Sequence, residues 1–260
     1  MKHGKALGNL IYWNWRMIRK PFALLCGTMA VVELAALLFA AANNTMAMPF
    51  NSLFFGSYLF AVFALAFLVT LGICVRPVVA GTAKAKGSYT LLSLPIPRSA
   101  ILLAHVLTVV LALVLLFALQ VLLSAVYYWP TMALSQMVID RMGAEGVSMM
   151  GAGLFYRALI NNPMIRLLLP TSWQGVCGLV LLIAGPAVLL PCAFYHKGIK
   201  MFGGICLGLV GVVCCTAIIF ALGQRVSWGY SWWRAPLVLL AVMAVSWLWA
   251  WRDLRRAAFV

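Results

Sequence analysis

Few side chains in this 260-residue sequence could carry acid–base chemistry: the carboxylates Glu33, Asp140, Glu145 and Asp253, and the histidines His3, His105 and His196. General acid–base and nucleophilic catalysis both need such groups to converge within hydrogen-bond reach. Their placement argues against that. Asp140 and Glu145 stand close to Arg141, and Asp253 lies in a basic run, so all three read as solvated ion-pair partners. His105 sits a turn into an apolar segment and reads as an interfacial polar residue; His196 belongs to a short turn with Lys197. The seven cysteines (Cys26, Cys74, Cys177, Cys192, Cys206, Cys214 and Cys215) lack CxxC spacing and companion histidines, and read as small polarisable packing residues. No GxSxG, HExxH or GxxxxGK[ST] pattern is present. The sequence therefore describes a non-catalytic chain with no cofactor or metal site of its own, whose energy source would lie elsewhere.

Glu33 is the exception among the acids, because it stands in the middle of an apolar run. A carboxylate in hydrocarbon is costly, so such residues face the bundle interior or a wet cavity. Two readings follow: a position on a translocation path, or a protonated side chain hydrogen-bonded to a neighbouring helix.

The elements that must position it are dictated by composition. Hydrophobic residues make up 65% of the chain and charged residues 9%, with a mean hydropathy of +1.06. Soluble domains run near half apolar and a quarter charged, so a water-soluble globular protein is excluded. At about 20 apolar residues per crossing, the length accommodates roughly six crossings and no separate soluble domain. Apolar segments are expected to span about 21–42, 52–75, 100–128, 173–195, 201–222 and 235–251. Nothing alternates with period two, so the spans are helical. The first run is too long for a signal peptide and contains Glu33, which makes it an uncleaved span. Residues 1–20 place Leu7, Leu10, Ile11 and Ile18 on one helical face, with Tyr12, Trp13 and Trp15 at its border. That pattern predicts an amphipathic helix lying in the interface, turned into the bilayer by Pro21. Pro186 and Pro191 are expected to break the fourth span. The long connection over 129–172 is still rather apolar, and short helices at the outer leaflet are expected there.

The net charge of +15 comes from 19 basic and four acidic residues. Assigning the joints alternately puts Lys2, Lys5, Arg16, Arg19, Lys20, Arg76, Lys84, Lys86, Arg98, Lys197, Lys200, Arg252, Arg255 and Arg256 on one side. Arg141, Arg157, Arg166, Arg225 and Arg234 fall on the other. Fourteen against five places both termini in the cytoplasm of a multi-pass protein of the cell membrane. The same scatter argues against nucleic-acid binding, which gathers its positive charge on a soluble face. Gly204 and Gly208 form a GxxxG face suited to close helix packing, within the chain or against a second copy.

The segment 76–99 between spans two and three is more than a connector. It carries Arg76, Lys84 and Lys86, a break at Gly87-Ser88, an apolar stretch from Tyr89 to Leu94 with Leu91 and Leu92, and then Pro95-Ile96-Pro97-Arg98. Apolar side chains on the cytoplasmic side must pack on the membrane interface or enter a partner's groove.

Here the chain resembles the permease subunits of bacterial ABC transporters of the ABC-2 (type V exporter-like) class. Gly87-Ser88, Leu91-Leu92-Ser93, Pro95-Ile96 and Pro97-Arg98 match the loop that follows the second span in that family. The acidic residue usual before the glycine is replaced by Ala83-Lys84-Ala85-Lys86, so the basic pair would meet an acidic patch or anionic headgroups. The resemblance implies an all-α polytopic membrane protein: six transmembrane helices, an N-terminal amphipathic interface helix and a cytoplasmic coupling helix between spans two and three. It also implies two separate ATPase subunits holding ATP and Mg, and a second permease subunit, the same or related. ATPase coupling would then fall to Lys84, Lys86, Gly87, Ser88, Tyr89, Leu91, Leu92, Leu94, Pro95, Pro97 and Arg98. The expected function is export of a peptide, drug, lipid or other amphiphile. The alternatives are a secondary transporter or channel using Glu33 and the broken fourth span, and a membrane-embedded enzyme or assembly factor.

Overall fold

Backbone polar groups in hydrocarbon must be paired within the segment itself, and apolar runs of this length do so as helices. The computed structural model describes residues 2–43, 48–82, 98–142, 150–195 and 234–256, and nearly all of them are helical. Among the described residues the helices are α1 Lys2–Ala42, α2 Phe50–Gly56, α3 Leu59–Thr82, α4 Arg98–Val126, α5 Tyr128–Arg141, α6 Ala152–Asn161, α7 Pro163–Leu168, α8 Trp173–Tyr195 and α9 Arg234–Arg256. Four stretches of the described residues are long and apolar enough to cross a membrane: Ala6–Ala42, Leu59–Val78, Ser99–Arg141 and Gly175–Cys192. The expected span 201–222 lies outside the described residues, and the expected span 235–251 falls within α9.

Several expected boundaries move. Pro21 does not end a separate interface helix: α1 runs through it for 41 residues, about 60 Å at 1.5 Å per residue. A proline removes one backbone donor, and a long apolar helix packed on neighbours absorbs that loss. The same holds for Pro77 in α3 and for Pro186 and Pro191 in α8, which crosses both prolines unbroken. Residues 76–82, expected in the loop, extend α3. The expected second span instead breaks near its start, where Tyr58 adopts a left-handed φ of 56°. Its carbonyl accepts from Ala61 N and Val62 N and opens α3, while the Ser57 N–H closes α2 on Leu53 O. At Tyr127 the opposite occurs. That residue stays right-handed, Tyr127 N–H donates to Leu123 O and Thr131 N–H to Tyr127 O, so α4 passes into α5 with its backbone ladder kept.

The chain divides into two compact units. One comprises Met1–Phe22, Thr70–Val114 and Gln174–Val260. In it Leu10 of α1 packs on Ile101 and Ala104 of α4, with Leu7 and Ile11 alongside. Leu102 of α4, Cys192 of α8 and Ala250 of α9 form a second knot, joined by Val188 and Trp247. Asn14 Nδ2 donates to Thr108 Oγ1 at 3.4 Å. Since Leu10 meets 101 and 104 while Asn14 meets 108, α1 and α4 run in the same direction here.

The other unit comprises Ala23–Val69 and Leu115–Trp173. Phe117 of α4 packs on Phe63 and Phe67 of α3 at centroid distances of 5.6 and 6.0 Å. Tyr128 of α5 meets Phe50 of α2 and Phe155 of α6 edge-on. Asn162 caps α7, its Oδ1 accepting from Met164 N and Ile165 N, and Pro163 occupies the first helical position, where a missing donor costs nothing.

Much of the outer surface is as apolar as the core, and a few polar residues are buried within it. Leu24, Val31, Phe39, Leu65, Leu122 and Val180 are exposed, while Asn14, Glu33, His105, Thr108, Gln120 and Ser124 are buried. Apolar outer faces on helices of spanning length are matched by lipid and not by water. The protein is membrane-embedded.

Candidate functional site

The buried polar residues are the natural place to look for a site, because each must find a partner in a low-dielectric interior. Glu33, on the second half of α1, is fully buried. Its Oε2 accepts from Gln120 Nε2 of α4 at 3.1 Å. Three residues before Glu33 on α1, the carbonyl of Ala30 accepts from Tyr127 Oη at 2.7 Å. One turn on from Gln120, Ser124 Oγ donates back to the Gln120 carbonyl. Each hydroxyl thereby uses its hydrogen on the backbone and turns only lone pairs toward its surroundings.

The arrangement continues along α5. Gln120, Ser124, Tyr127, Thr131 and Ser135 recur at spacings of four, three, four and four, which keeps them on one helical face. Thr131 and Ser135 are buried, and their hydroxyls have no partner among the described residues. The same holds for Glu33 Oε1 and Gln120 Oε1. The second of the two sequence readings of Glu33 thus has its neighbouring helix, in α4, yet half of the carboxylate stays unmatched.

The other expected site residues fare differently. Lys84, Lys86, Gly87, Ser88, Tyr89, Leu91, Leu92, Leu94, Pro95 and Pro97 lie outside the described residues, as do Gly204 and Gly208. Arg98 is the first residue of α4. His105, read from the sequence as interfacial, is instead buried in the protein on the turn of α4 before Thr108. Asp140 Oδ1 accepts from Gln136 Nε2 one turn earlier on α5 at 2.8 Å.

Sequence reading passed over Gln120, Ser124, Thr131 and Ser135. Their signal was present: an amide and a hydroxyl four apart within an apolar run, continued at the same interval beyond it, mark one polar stripe on a helix. The chain matches no protein-family model, no curated protein and no solved structure.

Proposed function

We propose that this chain is the membrane-spanning permease subunit of an ATP-driven ABC transporter, exporting a peptide, drug, lipid or other amphiphile. It would assemble with a second permease subunit, the same or related, and with two separate ATPase subunits that hold ATP and Mg. Six crossings with both termini in the cytoplasm complete the reading.

The observation that carries it is the direction of α1 and α4. Leu10 packs on Ile101 and Ala104, and Asn14, one turn on, bonds to Thr108, so the start of α1 and Arg98, the first residue of α4, belong to one end of this helix pair. Such grouping is what positive-inside topology requires of two cytoplasmic segments. In this reading Leu91, Leu92 and Leu94 enter a groove on the ATPase and Arg98 anchors the segment at the membrane.

Replacing Leu91 and Leu92 together with Asp tests the proposal. Expected is loss of ATPase co-purification from native membranes and loss of transport, with the permease still folded. Unchanged co-purification and transport would refute it. A secondary transporter or channel is the second reading, favoured by the half-matched carboxylate of Glu33; transport that persists without any ATPase would select it.

A further inference from the structure

We propose that Glu33 and Gln120 form a binding site for a single monovalent cation, either an alkali ion or a protonated amine, served by an oxygen-lined face through Ser124, Tyr127, Thr131 and Ser135. The inference is independent of the ATPase reading, because it concerns a bound charge and not what drives transport.

It begins with what the site lacks. Glu33 and Gln120 are each 0% exposed, and their 3.1 Å hydrogen bond uses one carboxylate oxygen and one amide hydrogen. Among the described residues, Glu33 Oε1 and Gln120 Oε1 remain unmatched. Leaving one buried polar atom without a partner is costly; leaving a carboxylate oxygen and an adjacent amide oxygen so is costlier still. With Glu33 ionised, both of these atoms are acceptors. A ligand that satisfies them must be a donor or a cation, and cannot be an anion.

The surroundings narrow the class further. Tyr127 Oη donates to Ala30 O and Ser124 Oγ to Gln120 O, so the hydroxyls nearest the pair present lone pairs. Thr131 Oγ1 and Ser135 Oγ, buried and unmatched, continue the same face over the next two turns. Hard oxygen ligands suit alkali ions and ammonium groups. One carboxylate supplies one negative charge, which matches a monovalent ion; divalent sites bring several carboxylates together, and among the described residues no group of three candidate metal ligands occurs.

The test uses the full chain in nanodiscs of zwitterionic phosphatidylcholine. Uptake of sodium, potassium and methylammonium is measured by equilibrium binding, and thermal unfolding is followed by tryptophan fluorescence, with choline chloride, a quaternary cation without N–H donors, holding the ionic strength. Expected is saturable uptake of at least one probe with a matching rise in unfolding temperature, weakened about tenfold or more by Glu33→Gln, since a charged partner is lost. Gln120→Met weakens it less. Uptake of sodium or potassium alone identifies an inorganic ion, and uptake of methylammonium alone an amine-bearing ligand. Either supports the site. No saturable uptake of any probe by the folded wild type overturns it, as does binding that Glu33→Gln leaves unchanged. Should Glu33→Gln not fold, Gln120→Met decides by the same criterion.

Discussion

Asn14 with Thr108 in one unit and Glu33 with Gln120 in the other join α1 to α4 by the same device, a side-chain hydrogen bond inside apolar helices. They are saturated to different degrees. Thr108 Oγ1 accepts from Asn14 and donates to the Ala104 carbonyl at 2.7 Å, so its hydroxyl is used in both directions. Around it stand apolar knots: Leu10 with Ile101 and Ala104, and Leu102 with Cys192 and Ala250. The Glu33–Gln120 pair instead leaves an oxygen unmatched on each side chain and is followed by two unmatched hydroxyls. A saturated polar bond in a membrane helix acts as glue; an unsaturated one keeps capacity for something else. On that distinction the first pair is structural and the second is available for function.

The comparison can be broken most readily through the packing of the first unit. Leu102 is fully buried between α8 and α9, and Leu102→Ala removes the side chain that fills this junction. A loss of about 3 kcal/mol is expected, measured by unfolding in mixed micelles. A loss near zero would mean that the knot does not hold the unit and that its polar bond matters more than its apolar contacts.

A smaller effect checks that a polar residue of the second unit can also be structural through its oxygen alone, since Asn162 Nδ2 has no partner among the described residues. Asn162 Oδ1 accepts two backbone N–H groups at the start of α7. Asn162→Ala removes both bonds and should cost about 1 kcal/mol, as other N-cap losses do. Smaller again is the coupling between Asn14 and Thr108. A double-mutant cycle with Asn14→Ala and Thr108→Val should give about 0.6 kcal/mol, the usual worth of a hydrogen bond between membrane helices. A value of zero would remove the contrast from the saturated side.

How far these features were legible in the sequence depends on which force set them. The third apolar run, expected over 100–128, appears as α4 over Arg98–Val126, because an unbroken apolar run has no competing structure in lipid. Proline was over-read. Pro21, Pro186 and Pro191 would each end a helix in water, where freed backbone groups find solvent, but here the helices continue through them. The break at Ser57-Tyr58 was under-read, although Gly56-Ser57 is a turn signal within an apolar stretch. Glu33 stood out by charge alone, whereas its partner Gln120 did not. A neutral amide in a span becomes conspicuous only when the helix from Gln120 to Ser135 is laid out by face, and which helix it meets depends on tertiary packing.

The smallest expected change in stability is also the one that sharpens the comparison most. Glu33→Gln keeps the volume and an acceptor for Gln120 Nε2, and it removes a buried charge. If the pair were glue like Asn14–Thr108, losing the carboxylate would destabilise the protein by as much as the coupling there or more. If the carboxylate is held for a ligand, the cation-free protein gains as much from losing an unmatched oxygen as it forfeits from a weaker hydrogen bond. In buffer containing only choline chloride, the unfolding free energy of Glu33→Gln should therefore lie within about 0.5 kcal/mol of wild type, or above it. A loss of 1 kcal/mol or more would place Glu33 among the structural residues and leave the two units alike in kind.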